Sequence, residues 1–174
     1  AIFQSAENQI EERNRLRELL AKLVGVASEL TSELDFDRLF PLIIRNVTEV
    51  MSAERTSLYV VDWNRKELWT TVSEGVEQIR LPFGQGISGR VAETGEMINV
   101  ADAWELAYFD RSFDEKINFR TRSVLCIPIR NHKAEIIGVL QVINKKGKDR
   151  FDKEDEAFLR GLSTQVRIAL DNSL

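Results

Sequence analysis

Two hydrophobic periods alternate along this chain, and each change of period marks an element. From Glu7 to about Glu33 the sequence is nearly free of glycine and proline and rich in Glu, Arg and Leu, which predicts one long helix. Leu16, Leu20, Leu23, Ala27, Leu30 and Leu34 follow one another at intervals of 4 and 3 residues, the spacing of a coiled-coil seam. Extended backwards, the register falls on Arg13 and Gln9, so the seam either joins two chains as a parallel dimer helix or packs on its own domain. Asp35 or Asp37 is expected to cap a second helix carrying Leu39, Phe40, Ile43, Ile44, Val47, Val50 and Met51 on one face, with Pro41 in its first turn. Period two then takes over. Thr56 to Asp62 and Glu67 to Ser73 read as a hairpin turning at Trp63-Asn64-Arg65-Lys66, and Ile79 to Phe83 as a short strand. A glycine-rich turn leads to a helix from about Ile87 to Glu93, then a short strand from Ile98 to Val100. Residues 101–121 are irregular and aromatic, holding Trp104, Tyr108, Phe109, Phe113 and Phe119. Arg122 to Arg130 and Glu135 to Ile143 form a last hairpin, and a helix from Lys153 carries Phe158, Leu162, Val166 and Ala169 as an apolar stripe.

Helices, then strands, then a helix predict an α+β domain with a mainly antiparallel sheet. Leu58 to Val61 and Val124 to Ile129 are apolar at consecutive positions, so both faces of that sheet must be covered. The helices at the two ends of the chain supply one cover. The segment from residue 84 to 121 must supply the other, and a loop layer over a sheet is where a ligand cavity can form. The expected division is a dimerisation and signalling helix over residues 1–34 and a compact domain over 35–174, closed by a second signalling helix.

Composition narrows the partners. A chain of 174 residues, 43% hydrophobic and 30% charged, supports one core with helical extensions. A net charge of -4 argues against nucleic acid or an anionic membrane as the partner, since those contacts need clustered Lys and Arg. The one basic run, Lys145-Lys146 with Lys148 and Arg150, reads as a solvated turn. A single cysteine forms no internal disulfide, which suits a cytoplasmic location. No apolar stretch nears the roughly 20 residues of a membrane span, and Ala1-Ile2-Phe3-Gln4 opens no signal peptide.

The most specific pattern is Asn144-Lys145, a spacer, Phe151, three residues, then Asp155-Glu156. It ends a strand on a lysine and offers that lysine a carboxylate in the first turn of the next helix, where the helix dipole also favours negative charge. With the run Asn118-Phe119-Arg120-Thr121-Arg122-Ser123-Val124-Leu125-Cys126-Ile127-Pro128-Ile129, it resembles the GAF domains that bind cyclic nucleotides in phosphodiesterases and cyanobacterial adenylyl cyclases. The resemblance covers residues 32–172. It implies a GAF/PAS-like central antiparallel sheet, with the N- and C-terminal helices on one face and a loop and short-helix layer over the other. It also implies a regulatory homodimer joined through the terminal helices and fused to an output domain. No cofactor is required, and cAMP or cGMP is the implied ligand, with a different small ligand, or a ligand-free dimerisation and relay role, as the alternatives.

By the same resemblance, Ser57, Ile87, Ser88, Asp114, Thr121 and Gln141 line the pocket. Ile87 and Ser88 would offer backbone N–H groups to the cyclic phosphate, Ser57, Asp114 and Thr121 would meet the base or ribose, and Gln141 would lie beneath. Three positions depart from the pattern: Ser73 replaces an aromatic residue, while the acid after it remains as Glu74, Ile117 replaces a threonine, and Gln141 a glutamate. The motif from Asn144 to Glu156 is implied to be structural, holding the pocket from behind.

Elementary chemistry leaves the other candidates thin. Gly84-Gln85-Gly86-Ile87-Ser88-Gly89 matches the dinucleotide fingerprint letter by letter, but Pro82 interrupts the strand before it and loops follow its helix. What remains is a glycine turn, or a helix start whose free N–H groups suit a phosphate. Ser57 and Gln141, polar within apolar strands, either satisfy backbone groups or meet a ligand. His132 alone at a hairpin tip can build neither a triad nor a multi-histidine metal site, and Cys126 in an apolar run reads as a core thiol. Related methionine sulfoxide reductases work through several cysteines, and bilin-attaching relatives commonly follow their cysteine with histidine. The segment is therefore expected to be a sensor and not an enzyme.

Overall fold

The computed structural model describes residues 5–15, 18, 36–72 and 77–173. Residues 5–15 are helical (α1). The expected seam from Leu16 to Leu34 and the cap at Asp35 lie outside the described residues, as does the side chain of Asp37. Helix α2 spans Phe36–Val50, and Phe40, Ile43, Val47, Val50 and Met51 are buried along the predicted face. Pro41 stands inside this helix, one turn later than expected. Its missing N–H removes one backbone bond, and the burial of the apolar face outweighs that loss.

Strands β1 (Ala53–Asp62), β2 (Glu67–Val72), β3 (Glu77–Pro82), β4 (Ile98–Val100), β5 (Val124–Arg130) and β6 (Ile136–Lys145) form one sheet among the described residues. Its order is β3-β2-β1-β6-β5-β4, and every pairing is antiparallel. Chain-adjacent strands are neighbours except β3 and β4, which lie at opposite edges, and the last strand pairs with the first at β1–β6. Helices α3 (Gly86–Thr94), α4 (Ser112–Ile117) and α5 (Lys153–Ser173) complete the fold, with a 3-10 turn at Ala103–Glu105.

Strand alternation divides the apolar residues between two layers. Leu58, Val60, Leu125, Ile127, Leu140 and Val142 face α2 and α5, where Phe151, Leu159, Leu162 and Val166 bury their side chains. Val124, Cys126 and Val139 face the other way, onto Ile87, Val91 and Ala92 of α3. The helical ends of the chain cover one face and the α3-to-loop layer the other, as the continuous apolar runs require.

Helix α5 starts on a reciprocal cap. Asp155 N–H donates to Asp152 Oδ1 at 2.8 Å and Asp152 N–H to Asp155 Oδ2 at 3.0 Å, so each carboxylate satisfies a backbone donor that the first turn leaves free. Lys148 Nζ, donating to Asp152 at 2.8 Å, is the first cause of an Asp152 pKa lowered to about 2. A carboxylate whose folded pKa is depressed stabilises the fold above its unfolded pKa, near 3.9, and loses that contribution as pH falls through the folded value. Asp152 is 41% exposed, so screening holds the effect to about 1 kcal/mol or less. The stability advantage of the wild type over Asp152→Asn should be constant above about pH 5 and shrink between about pH 4 and 2. Denaturant titrations across that range measure it, and an advantage unchanged down to pH 2 would contradict the assignment.

Candidate functional site

The α3 face holds a row of polar groups across three strands. Ser57 of β1 lies opposite Gln141 of β6, and Gln141 lies opposite Cys126 of β5. From the start of α3, Ser88 reaches down to this row: its Oγ donates to Gln141 Oε1 at 3.1 Å and sits 3.8 Å from Cys126 Sγ. Burial pushes the Cys126 thiol up to about 12 against the opposing effect of the Ser88 hydrogen bond, so it stays protonated and is no nucleophile. Burial likewise raises the Tyr59 phenol, with Cys126 acting in the same direction.

The turn that presents Ser88 explains its glycines without a dinucleotide. Gly84 has φ of 82°, a left-handed conformation, and its N–H donates to Gly89 O at 2.9 Å. A Cβ on Gly89 would come within 2.9 Å of the Pro82 carbonyl oxygen. These constraints bring the N-terminus of α3 against the sheet. Gln85, at its N-cap, makes no side-chain capping bond and the first turn holds no acid, while the Glu93 carboxylate of the same helix lies beside Gly84.

Asp114, Thr121 and Trp104 form a second cluster in the covering segment. Buried Asp114 accepts from Thr121 Oγ1 at 2.9 Å, from Thr121 N–H at 2.8 Å and from Trp104 Nε1 at 2.9 Å. The two residues expected to meet a base or ribose thus hold each other. Arg111 and Arg120 place their guanidiniums 4.5 and 4.1 Å from the centroid of the Trp104 ring, and Arg120 also pairs with Asp102 at 2.9 Å. Leu106, Tyr108 and Phe109 pack against the α3 cluster, and Arg90 of α3 lies 3.7 Å from the centroid of the Tyr108 ring. The aromatic segment therefore rests directly on the layer that holds Ile87. Ile117, at the end of α4, is 43% exposed, whereas Asp114 on the same helix is buried. Ser73 and Glu74 lie outside the described residues.

Behind the sheet, the residues from Asn144 to Glu156 meet at one junction. Lys145 Nζ donates to Asp155 Oδ1 at 3.0 Å and to Met51 O at 2.9 Å, joining β6 to α5 and to the end of α2. Asn144, at φ of 61°, accepts Arg122 N–H at 2.6 Å and donates to Arg120 O at 2.9 Å and to Glu54 at 3.0 Å. Phe151 is fully buried. Glu156 accepts from Asn99 Nδ2 at 2.7 Å. Arg13 of α1 adds a second cation to Asp155 at 3.3 Å.

Sequence reasoning missed Asn99, Trp104, Arg13 and the place of Cys126 beside Ser88. The Cys126 position depends on strand register, and the others on contacts far apart in the chain, so neither leaves a local pattern. An open groove of about 650 Å³ lies elsewhere, lined by Arg45, Thr48, Glu49, Ser52, Ala53, Lys146 and Gly147, none of them a predicted pocket residue. Among the described residues no group of His, Cys, Asp and Glu is arranged to hold a metal ion.

The description "GAF domain" fits residues 35–170, where the family model matches. The chain belongs to the GAF domain family. The cGMP-specific 3',5'-cyclic phosphodiesterases of Drosophila virilis and Drosophila melanogaster are 36% and 34% identical to it over 162 residues, 83% of this chain. This GAF chain spans only 18% and 14% of the length of those two relatives. Among solved structures, the GAF domain from Acinetobacter phosphoenolpyruvate-protein phosphotransferase superposes with a TM-score of 0.71 at 19% identity, covering 92% of this chain and 94% of that one. The free methionine-R-sulfoxide reductase from Neisseria meningitidis, in complex with its substrate, gives 0.69 at 21% identity, covering 93% and 92%. Those two likenesses show the GAF fold alone. No helix among the described residues is long and apolar enough to cross a membrane.

Three substitutions probe this GAF geometry. Lys145→Met leaves Asp155, 1% exposed, without its nearest cation and should cost about 3–5 kcal/mol. Combining it with Asp155→Leu should cost less than the two single losses together, and additive denaturation midpoints would contradict a coupled pair. Asp114→Ala removes the acceptor for three donors, so it should lower stability by about 1–3 kcal/mol and shift Trp104 emission to the red. Unchanged emission would place Trp104 outside this cluster.

Proposed function

We propose that this GAF domain is the sensing module of a larger cytoplasmic signalling protein, and that it binds a cyclic nucleotide over the α3 face. The observation that carries the reading is the convergence of an uncapped α3 N-terminus with Ser88 and the polar row Ser57, Gln141 and Cys126, all within one apolar layer. A helix start without a side-chain cap supplies free N–H donors for a cyclic phosphate. The surrounding apolar and aromatic residues suit a purine. Similarity to cGMP-specific phosphodiesterases along 83% of the chain supports cGMP first and cAMP second. Ile87 and Ser88 would bind the phosphate, with Ser57, Ser73, Glu74, Asp114, Ile117, Thr121 and Gln141 around the nucleoside. Residues 101–121 would act as a lid, lifting Tyr108 and Phe109 to admit ligand and closing over it. Movement would pass to a dimer formed through α5 and the seam from Leu16 to Leu34, and from there to a fused output domain.

A second reading has its own support. Leu106, Tyr108 and Phe109 already pack on the α3 cluster, as a domain that relays or dimerises without a ligand would require. Titration with cGMP and cAMP separates the two. A nucleotide at 100 times its dissociation constant should stabilise the domain by about 2.7 kcal/mol, read as a rise in melting temperature together with a change in Trp104 emission. No shift with either nucleotide would favour the ligand-free reading.

A further inference from the structure

Glu156 and Phe151 have a partner that their pattern does not name. Asn99 sits in the middle of β4, a three-residue strand at the edge of the sheet. Its neighbours Ile98 and Val100 pack on the α3 layer, so alternation turns Asn99 to the opposite face, toward α5. There Asn99 Nδ2 donates to the Phe151 carbonyl at 3.0 Å and to Glu156 Oε2 at 2.7 Å. Arg150 donates to the Asn99 carbonyl at 3.4 Å, so main chain and side chain are both tied to the approach to α5.

The other amide atom shows what fixes this orientation. Asn99 Oδ1 is buried and has no partner among the described residues. A buried acceptor without a hydrogen bond is destabilising. Turning the amide over would set its oxygen against a carbonyl and a carboxylate and remove both donors, which is worse. Two acceptors, the Phe151 carbonyl just before α5 and the Glu156 carboxylate in its first turn, therefore determine the orientation, and the fold tolerates the orphaned oxygen.

Position in the chain gives the contact its consequence. Two residues after Asn99 the covering segment begins, and it ends at Arg120 and Arg122, which Asn144 holds through a carbonyl and an N–H. One junction thus grips both roots of the segment: Glu156 and Phe151 hold the entry through Asn99, and Asn144 holds the exit. We infer that Asn99 is a positioning residue that makes residues 101–121 and the first turn of α5 open and close as one cooperative unit. The inference concerns the unit itself and stands whether or not the segment covers a nucleotide.

Hydrogen exchange on the ligand-free protein tests it. In Asn99→Ala, amides of residues 101–121 and of the first turn of α5 should both exchange faster, by about tenfold, and no longer through one shared opening, because each element then opens without breaking the other. Asn46→Ala, which loses the bond from Asn46 Nδ2 to Leu42 O, is the control for general destabilisation and should leave that pairing intact. Asn99→Asp sets two carboxylates together and should be the worse variant. Adding Glu156→Gln returns a donor to the pair and should recover part of the lost protection in both segments. Faster exchange in only one segment, equal effects from Asn46→Ala, or no recovery in the double variant would overturn the inference.

Discussion

The contact on which the structure rests is Lys145 to Asp155. Lys145 is 9% exposed and Asp155 1% exposed, so neither charge can rely on water, and each is tolerable only because the other lies 3.0 Å away. The same ammonium donates to Met51 O at the end of α2, and the same carboxylate caps α5 and receives Arg13 of α1. Four elements from the two ends of the chain therefore meet at one pair of charges. A pair of this kind adds little net stability compared with packed apolar groups. Its value is geometric, since a donor and an acceptor this buried admit few arrangements, and the ends of α2, β6 and α5 are fixed relative to one another.

That junction lies on one face of the sheet, and the polar row lies on the other. The separation follows from strand alternation: in β6, Leu140 and Val142 face α2 and α5, while Val139 and Ile143 face the α3 layer. The helix-covered face is filled with large apolar side chains and holds the domain together. The α3 face accommodates Ser88, Gln141 and Cys126 because α3 starts there, with Gly89 set against the Pro82 carbonyl. The covering segment closes this face and is internally braced by Asp114, whose carboxylate serves Thr121 and Trp104 at once. Its roots run to the opposite side, to Asn144 and through Asn99 to Glu156. Site and scaffold are thus joined at the two places where the chain passes from one layer to the other.

Much of this was legible in the sequence, for physical reasons that can be named. Continuous apolar runs in β1 and β5 demanded two covers, and the helical spacing from Phe40 to Met51 and from Phe158 to Ala169 supplied one of them. The Asn144 to Glu156 pattern was visible because strand end, turn and helix cap are consecutive. Pro41 was misplaced because propensity favours proline in the first turn, whereas the buried face of α2 sets where that helix runs. Asn99 and Trp104 were not legible as site residues. Each acts through partners 10 to 57 residues away, and nothing in their immediate neighbours distinguishes such an amide or indole from a solvated one. The pairing of Ser57, Gln141 and Cys126 was hidden for the same reason, since register between β1, β6 and β5 is a long-range property.

Under the proposed function, a ligand over α3, the aromatic segment and the first turn of α5 form one connected system. Amide and side-chain NMR spectra recorded with and without cGMP test it most directly. The account predicts that the backbone signals of Ile87 and Ser88, the Trp104 indole N–H and the Asn99 side-chain amide shift with one shared dissociation constant. Shifts confined to the groove between Arg45 and Lys146, or shifts at α3 that leave Trp104 and Asn99 unmoved, would contradict it.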